Sequence, residues 1–226
     1  MNGIKIYSLM IATTVFFWAC GGNPFAPKKH TPTGVVDRPA AQPTTSAEIA
    51  MDNLARAFNE RDKELFETLL DQRYWFTEDD CLGNLVYNND REEELEIMGT
   101  RDGSSGGILN TFRTVEWEFQ LIERSTELGR EHPMAYEGDP DGHPDEDWEV
   151  FRGRVEMLLL KSSDDGFRVN QIMTFKLRQG EDGLWRIVRW IDDPLVGDCG
   201  EIETKEAAKA GRSLQLHAWS AIKQIL

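Results

Sequence analysis

An α+β domain is the fold class that the sequence predicts. Three observations carry it: helical periodicity at the front of the folded region, a switch to period two after Thr114, and Gly- and Asp-rich connections between the later strands. The chain has 226 residues, enough for one sizeable core, and its 25 Lys plus Arg against 40 Asp plus Glu give a net charge of -15. That balance opposes binding to a phosphate backbone, so nucleic acid is not an expected partner.

The elements follow in order. Thr45 and Glu48 have capping-box spacing, and Ile49, Ala50, Leu54, Ala57 and Phe58 share one helical face, which predicts a helix from Ala47. Asp62 can cap a second helix carrying Leu65, Phe66, Leu69 and Leu70, after which Tyr74-Trp75-Phe76 reads as a short strand. The acidic stretch from Asp90 to Glu96 reads as a short helix whose charges form a solvated face. From Thr114, Val115, Trp117, Phe119 and Leu121 alternate with polar residues and point inward. Strands from Trp148 to Lys161, Phe167 to Arg178 and Leu184 to Asp192 follow. Phe167, Val169, Gln171, Met173, Phe175 and Leu177 lie on one face of the second of these. The connections 162–166 and 179–183 hold the Gly and Asp of tight antiparallel turns. In residues 201–226, Leu214, Ala218, Trp219, Ile222 and Leu226 have helical spacing, which suits a docked helix or a stripe for a partner.

The N-terminus carries a different signal. Residues 6–19 are an apolar run of 14 residues behind Lys5, short of the roughly 20 that a spanning helix needs, and Gly21-Gly22 breaks it. Phe17-Trp18-Ala19-Cys20 resembles a bacterial lipobox, with Ala19 and Cys20 matching and Phe17 and Trp18 departing from the usual residues. The resemblance implies a signal peptide over 1–19 and a fatty-acylated Cys20 that holds the protein to a membrane in the bacterial cell envelope. Gly21 after that Cys implies the outer membrane. Otherwise the protein is plainly secreted and Cys20 is a loose thiol. Residues 20–45 are a tether, with Pro24, Pro27, Pro32, Pro39 and Pro43 favouring extended chain. With Cys20 acylated, Cys81 and Cys199 remain as an even pair, either one disulfide in an oxidising compartment or two separate buried thiols.

The closing run Gly183-Leu184-Trp185-Arg186-Ile187-Val188-Arg189-Trp190-Ile191-Asp192-Asp193 and the helix end Asn59-Glu60-Arg61-Asp62 together resemble the nuclear transport factor 2-like superfamily, including its polyketide-cyclase-like branch. The resemblance covers Ser46 to Pro194, within a domain that we set at 46–200. It implies a cone-shaped, strongly curved antiparallel sheet wrapped around the N-terminal helices, open at one end to a small ligand. It also implies a last strand near the first hairpin, which suits a Cys81 to Cys199 bond, and a homodimer through the outer sheet face.

Enzymes of that superfamily place acid-base residues deep in the cone, where a dry pocket tunes their pKa. Here His30 falls in the tether, His132 and His143 in a loop and His217 in the tail, so no strand-borne His faces the cone. Asp192 is the best acid-base candidate, on the same strand face as Trp190, in a pocket lined by Trp75, Trp117, Phe119 and Trp190. Against this, Asp192-Asp193-Pro194 also reads as a strand end entering a turn. Arg152, Arg154 and Glu156 share one strand face, which suits a polar pocket or an outer surface. Residues 137–149 hold seven carboxylates and no cation, a composition that suits Ca²⁺. The EF-hand template fails there, since Gly142 is early and position 150 is Val, and a solvated acidic loop is the competing reading. No phosphate loop, no His or Cys cluster at metal spacing and no nucleophile elbow is visible, so neither a cofactor nor a metal is expected. Two functions remain. One is a membrane-tethered accessory module that holds a small hydrophobic ligand or an envelope protein without chemistry. The other is an isomerase, dehydratase or cyclase with Asp192 as base, which needs a cavity of roughly 300 Å³ in front of that residue.

Overall fold

Helix α1 (Ala47–Glu60) begins where the periodicity placed it, but its cap is Ser46 and not Thr45: Ser46 is extended and its Oγ accepts the Ile49 N–H. These features come from a computed structural model that describes residues 40–80, 82–99, 106–163, 165–193 and 215–225. The segment expected to be a signal peptide, the expected tether up to residue 39, and Cys20, Cys81 and Cys199 lie outside the described residues.

The helix end that drew attention in the sequence is a junction. Arg61 closes α1 in the left-handed region at φ 55, donating its N–H to the carbonyls of Ala57 and Phe58 and its Nη1 to the Phe112 carbonyl at 3.0 Å. Asn59 bonds the backbone of Trp117 in both directions, Nδ2 to the carbonyl at 3.1 Å and Oδ1 from the N–H at 2.7 Å. Asp62 then caps α2 (Lys63–Leu69), accepting the Leu65 N–H at 2.9 Å. Four consecutive residues thus end one helix, start the next and fasten both to the sheet.

Strand β1 (Leu70–Asp79) is longer than its aromatic centre suggested, and β2 (Leu85–Asp90) pairs with it as a hairpin. Asp90 and Glu93 form a capping box that opens α3 (Arg91–Met98), and a single turn, α4 (Ile108–Thr111), leads to the long strands. These are β3 (Thr114–Glu127), β4 (Trp148–Leu160), β5 (Gly166–Gln179) and β6 (Trp185–Asp192). Gly183, at φ 76, turns β5 into β6, in a left-handed conformation that a side chain would strain.

The strands lie in the order β2-β1-β6-β5-β4-β3, in a curved sheet that does not close. All neighbours are antiparallel except β1 and β6, which run parallel and bring the last long strand against the first hairpin. Register shifts at Leu121/Glu123 and at Lys176/Leu177 bend the ladder. Beyond the first of these β3 leaves the core, so Leu121, expected inward, is 50% exposed. A short β7 (Gln215–Leu216) pairs parallel with Phe167 and Arg168 of β5, beyond the stretch that β6 covers. It leads to α5 (Trp219–Gln224).

The core lies between the inner sheet face and α1. Ala50, Leu54, Ala57 and Phe58 meet Val115, Trp117, Val155, Met157, Val169, Met173, Phe175, Leu177, Ile187 and Trp190, all buried. Each large side chain removed from water contributes about 1.5–3 kcal/mol before the entropy of ordering it.

Candidate functional site

The interior of the sheet is where the sequence placed its candidates, and two of the four aromatic lining residues stand at its centre. The Trp190 ring meets those of Phe58, Phe76, Trp117, Phe175 and Trp219 at centroid distances of 4.8 to 6.3 Å. Trp117 stacks on Phe58 at 4.5 Å. Phe119 is half-buried and packs edge-on against Phe175. Trp75 is not part of this group: the alternation of β1 gives that face to Tyr74 and Phe76, and Phe76 is the residue in contact with Trp190.

Asp192 ends β6, with Glu78 and Met173 as its neighbours across β1 and β5. It is 1% exposed, and its Oδ1 accepts the Trp190 indole N–H at 2.8 Å. Its Oδ2 has no hydrogen-bond partner among the described residues. The turn reading is therefore replaced by that of a buried carboxyl; Pro194 lies outside the described residues.

The side chains packed against these groups come from the end of the chain. Trp219 is fully buried, stacked near Trp190 at 6.2 Å and edge-on to Phe58 at 5.9 Å. Its N–H donates to Gln171 Oε1 at 3.1 Å, while Gln171 Nε2 donates to the Asp193 carbonyl at 2.7 Å. Gln171, the one polar residue in the inward row of β5, thus holds both the start of α5 and the end of β6. Ile222 is fully buried beside them.

Lys223 brings a charge into this apolar space. Its Nζ lies 2.6 Å from Glu94 Oε2 and 3.3 Å from the Phe76 ring centroid. Glu94 also accepts from Asn89 Nδ2, and Ser220 Oγ donates to Glu78 Oε2. Burial pushes the Asp192 carboxyl well above the ordinary carboxylate range; Lys223 and the Trp190 hydrogen bond oppose that rise, while Glu78 and Glu94 add to it. Burial lowers the Lys223 ammonium, with Glu94 opposing. The arrangement is a Glu94–Lys223 ion pair beside Asp192, whose carboxyl burial shifts toward the protonated form.

Among the described residues, Asp192 is covered by the packing around Trp190 and Lys223. A cleft of about 440 Å³ is lined by residues that include Tyr87, Asn89, Glu93 and Ile97, and Asp192 is not among them. The other candidates resolve as surface. Arg152 pairs with Asp193, Arg154 donates to Asn170 Oδ1 at 2.9 Å, and Glu156 is exposed. The acidic run 137–149 has its cations on the strands. Glu146 binds Arg178 and Arg73, Asp141 binds Arg189 at 2.9 Å, and Glu149 binds Arg124 at 2.9 Å. Beside this run the fold gathers one donor atom each from Glu127, His132 and His143 within 4.8 Å of one another, a grouping that their irregular spacing conceals in the sequence.

Glu94 and Lys223 were not visible as site residues. Glu94 stands in an acidic run that reads as a wet face, and only its i,i+4 relation to buried Met98 hints that it turns inward. No local signal marks Lys223.

No protein-family model matches the chain, and no curated protein matches it in sequence. Solved structures similar to it include a conserved protein from Planctomyces limnophilus, at 12% identity and TM-score 0.44 over 65% of this chain and 91% of the other. A nuclear transport factor 2-like protein of unknown function in nutrient uptake from Rhodospirillum rubrum has 14% identity and TM-score 0.42 over 67% and 99%. A ketosteroid isomerase-like protein from Erwinia carotovora atroseptica has 15% identity and TM-score 0.40 over 66% and 92%. The leading helices pack inside a curved, unclosed sheet of path β2-β1-β6-β5-β4-β3, the α+β arrangement that the resemblance to the nuclear transport factor 2-like superfamily implied.

Proposed function

We propose that this protein is an accessory module of the bacterial envelope, held to the outer membrane through acylated Cys20, which acts by binding an envelope protein and performs no chemistry at Asp192. What supports the non-catalytic reading is that Trp219, Ile222 and Lys223 fill the interior beside Trp190 and Asp192. The apolar run 6–19, the Ala19-Cys20 junction and the proline-rich tether support the anchoring. The competing reading is an isomerase, dehydratase or cyclase. It is favoured by one observation, the burial of the Asp192 carboxyl, which raises its pKa, and it requires α5 to leave.

The test has two parts. In membrane fractions, intact mass spectrometry is expected to find a diacylglycerol-sized addition that disappears in Cys20→Ser; an unmodified Cys20 refutes the anchor. In the folded full-length protein, hydrogen exchange at residues 219–225 is expected to stay slow when a hydrophobic fluorescent probe is added, with no probe uptake. Uptake together with faster exchange in α5 refutes the closed interior and favours the enzyme.

A further inference from the structure

The loop between β3 and β4 returns to its starting point. Glu127 is the last residue of β3, His132 follows the single 3-10 turn Gly129–Glu131, and His143 lies near the loop's end, its N–H donating to the His132 carbonyl at 2.9 Å. The His143 side chain is fully buried, its ring stacked 3.7 Å from Trp148 and 4.8 Å from His132. His143 Nδ1 lies 2.8 Å from the Glu146 carbonyl oxygen. A carbonyl only accepts, so Nδ1 carries a proton and Nε2 is the ring nitrogen left to face another group.

His143 Nε2 faces Glu127 Oε2 at 3.5 Å, and neither atom makes a hydrogen bond among the described residues. Two buried polar atoms facing each other without a hydrogen bond call for a positive charge between them, a proton or a metal ion. Two donors bonded to one tetrahedral ion at about 2.0–2.1 Å stand roughly 3.3 Å apart; Glu127 and His143 are close to that separation, and the set with His132 spans 4.8 Å. Lys176 Nζ, 3.0 Å from Glu127 Oε1, occupies the other carboxylate oxygen. The His143 Nδ1–H to carbonyl bond is the outer-shell contact that orients a ligating imidazole.

We infer that Glu127 Oε2, one ring nitrogen of His132 and His143 Nε2 bind one divalent transition-metal ion of the Zn²⁺ class, the half-buried His132 ring turning out of its near-parallel stack on His143 (12° between planes) to aim a nitrogen at the ion. Two imidazoles and a carboxylate suit Zn²⁺, Co²⁺ or Ni²⁺ and not Ca²⁺, whose ligands are oxygens. Three protein donors leave a fourth position for water or for a ligand brought by a partner. The ion fastens a loop of about twenty residues to the sheet, in a length range where loops are usually functional.

The test uses the full-length protein with any affinity tag removed. Titration with Co²⁺ is expected to give tetrahedral d–d absorption at one ion per chain, without a thiolate charge-transfer band, displaced by Zn²⁺ and not by Ca²⁺. His132→Asn, at a half-buried position, is expected to weaken binding by at least about tenfold while leaving the metal-free unfolding midpoint unchanged. Absence of the absorption, a thiolate band, or unchanged affinity in both His132→Asn and Glu127→Gln overturns the assignment. Should a variant fail to fold, the ¹⁵N shift of His143 Nε2 in the unaltered protein decides. A large change with Zn²⁺ supports the site, whereas a protonated Nε2 that ignores Zn²⁺ means a proton holds the pair.

Discussion

Trp219→Ala removes the side chain on which closure of the interior depends. The indole is fully buried between Trp190 and Phe58, one on the sheet and one on α1, so its walls cannot easily move into the space left behind. Truncation of a buried Trp costs about 3–5 kcal/mol, and walls that resist collapse put this case toward the upper end. For a domain of this size each kcal/mol lowers Tm by about 2–4 °C, so a drop of roughly 6–20 °C is expected. Urea and thermal unfolding of the full-length protein provide the assay, with the m-value expected to hold. Indole should then restore part of the loss, since a ligand at about 100 times its Kd adds about 2.7 kcal/mol, and it should leave the parent protein unaffected. A loss below about 1 kcal/mol, or indole stabilising the parent equally, refutes the reasoning.

Three further outcomes are expected. Lys223→Met leaves Glu94 as an uncompensated buried charge and costs about 3–5 kcal/mol near neutral pH, most of which returns when Glu94→Leu is added; additive losses in the double-mutant cycle reject the pairing. Because burial raises Asp192 in the folded protein, its contribution is complete below the unfolded value of about 3.9 and declines as pH rises through the folded value. Asp192→Asn, which keeps an acceptor for the Trp190 indole, should therefore gain stability relative to the parent as pH is raised, and a difference that is flat with pH rejects the buried-acid assignment. Asn59→Ala leaves both backbone groups of Trp117 without their side-chain partner and should cost about 2 kcal/mol in urea unfolding, whereas a loss within about 0.5 kcal/mol shows that the junction does not depend on it.

The parts of the fold written in short-range chemistry were legible. Period-two runs located β3 to β6 because each buries one face, and the Asp and Gly of 179–183 marked the turn that Gly183 makes. Asp62 announced α2 because a side-chain cap is a local hydrogen bond. β2 was not legible: Leu85 and Val86 are exposed and the strand ends in Asn and Asp, so no alternation marks it. Asp192 and Trp190 were correctly placed on one face by parity, but parity says nothing of what comes to meet that face. The partners that define the interior are 129 residues apart in the case of Glu94 and Lys223, and 48 in the case of Gln171 and Trp219. Such contacts depend on the whole topology, and neither composition nor period encodes them. The same holds for Glu127, His132 and His143, which a loop brings together.

The position of Trp219, later in the sequence than every long strand, sets an order of events during synthesis. α1 to α4 and β1 to β6 emerge before the residues that fill the space beside Trp190. Until α5 follows them, the nascent head is missing an indole, an aliphatic group and the counter-ion of Glu94 from its middle. A polypeptide in that state has reason to remain loosely packed, and to reach its final rigidity only once α5 has been made and has docked. The location of a single tryptophan thereby defers the completion of folding until residues 219–223 are in place.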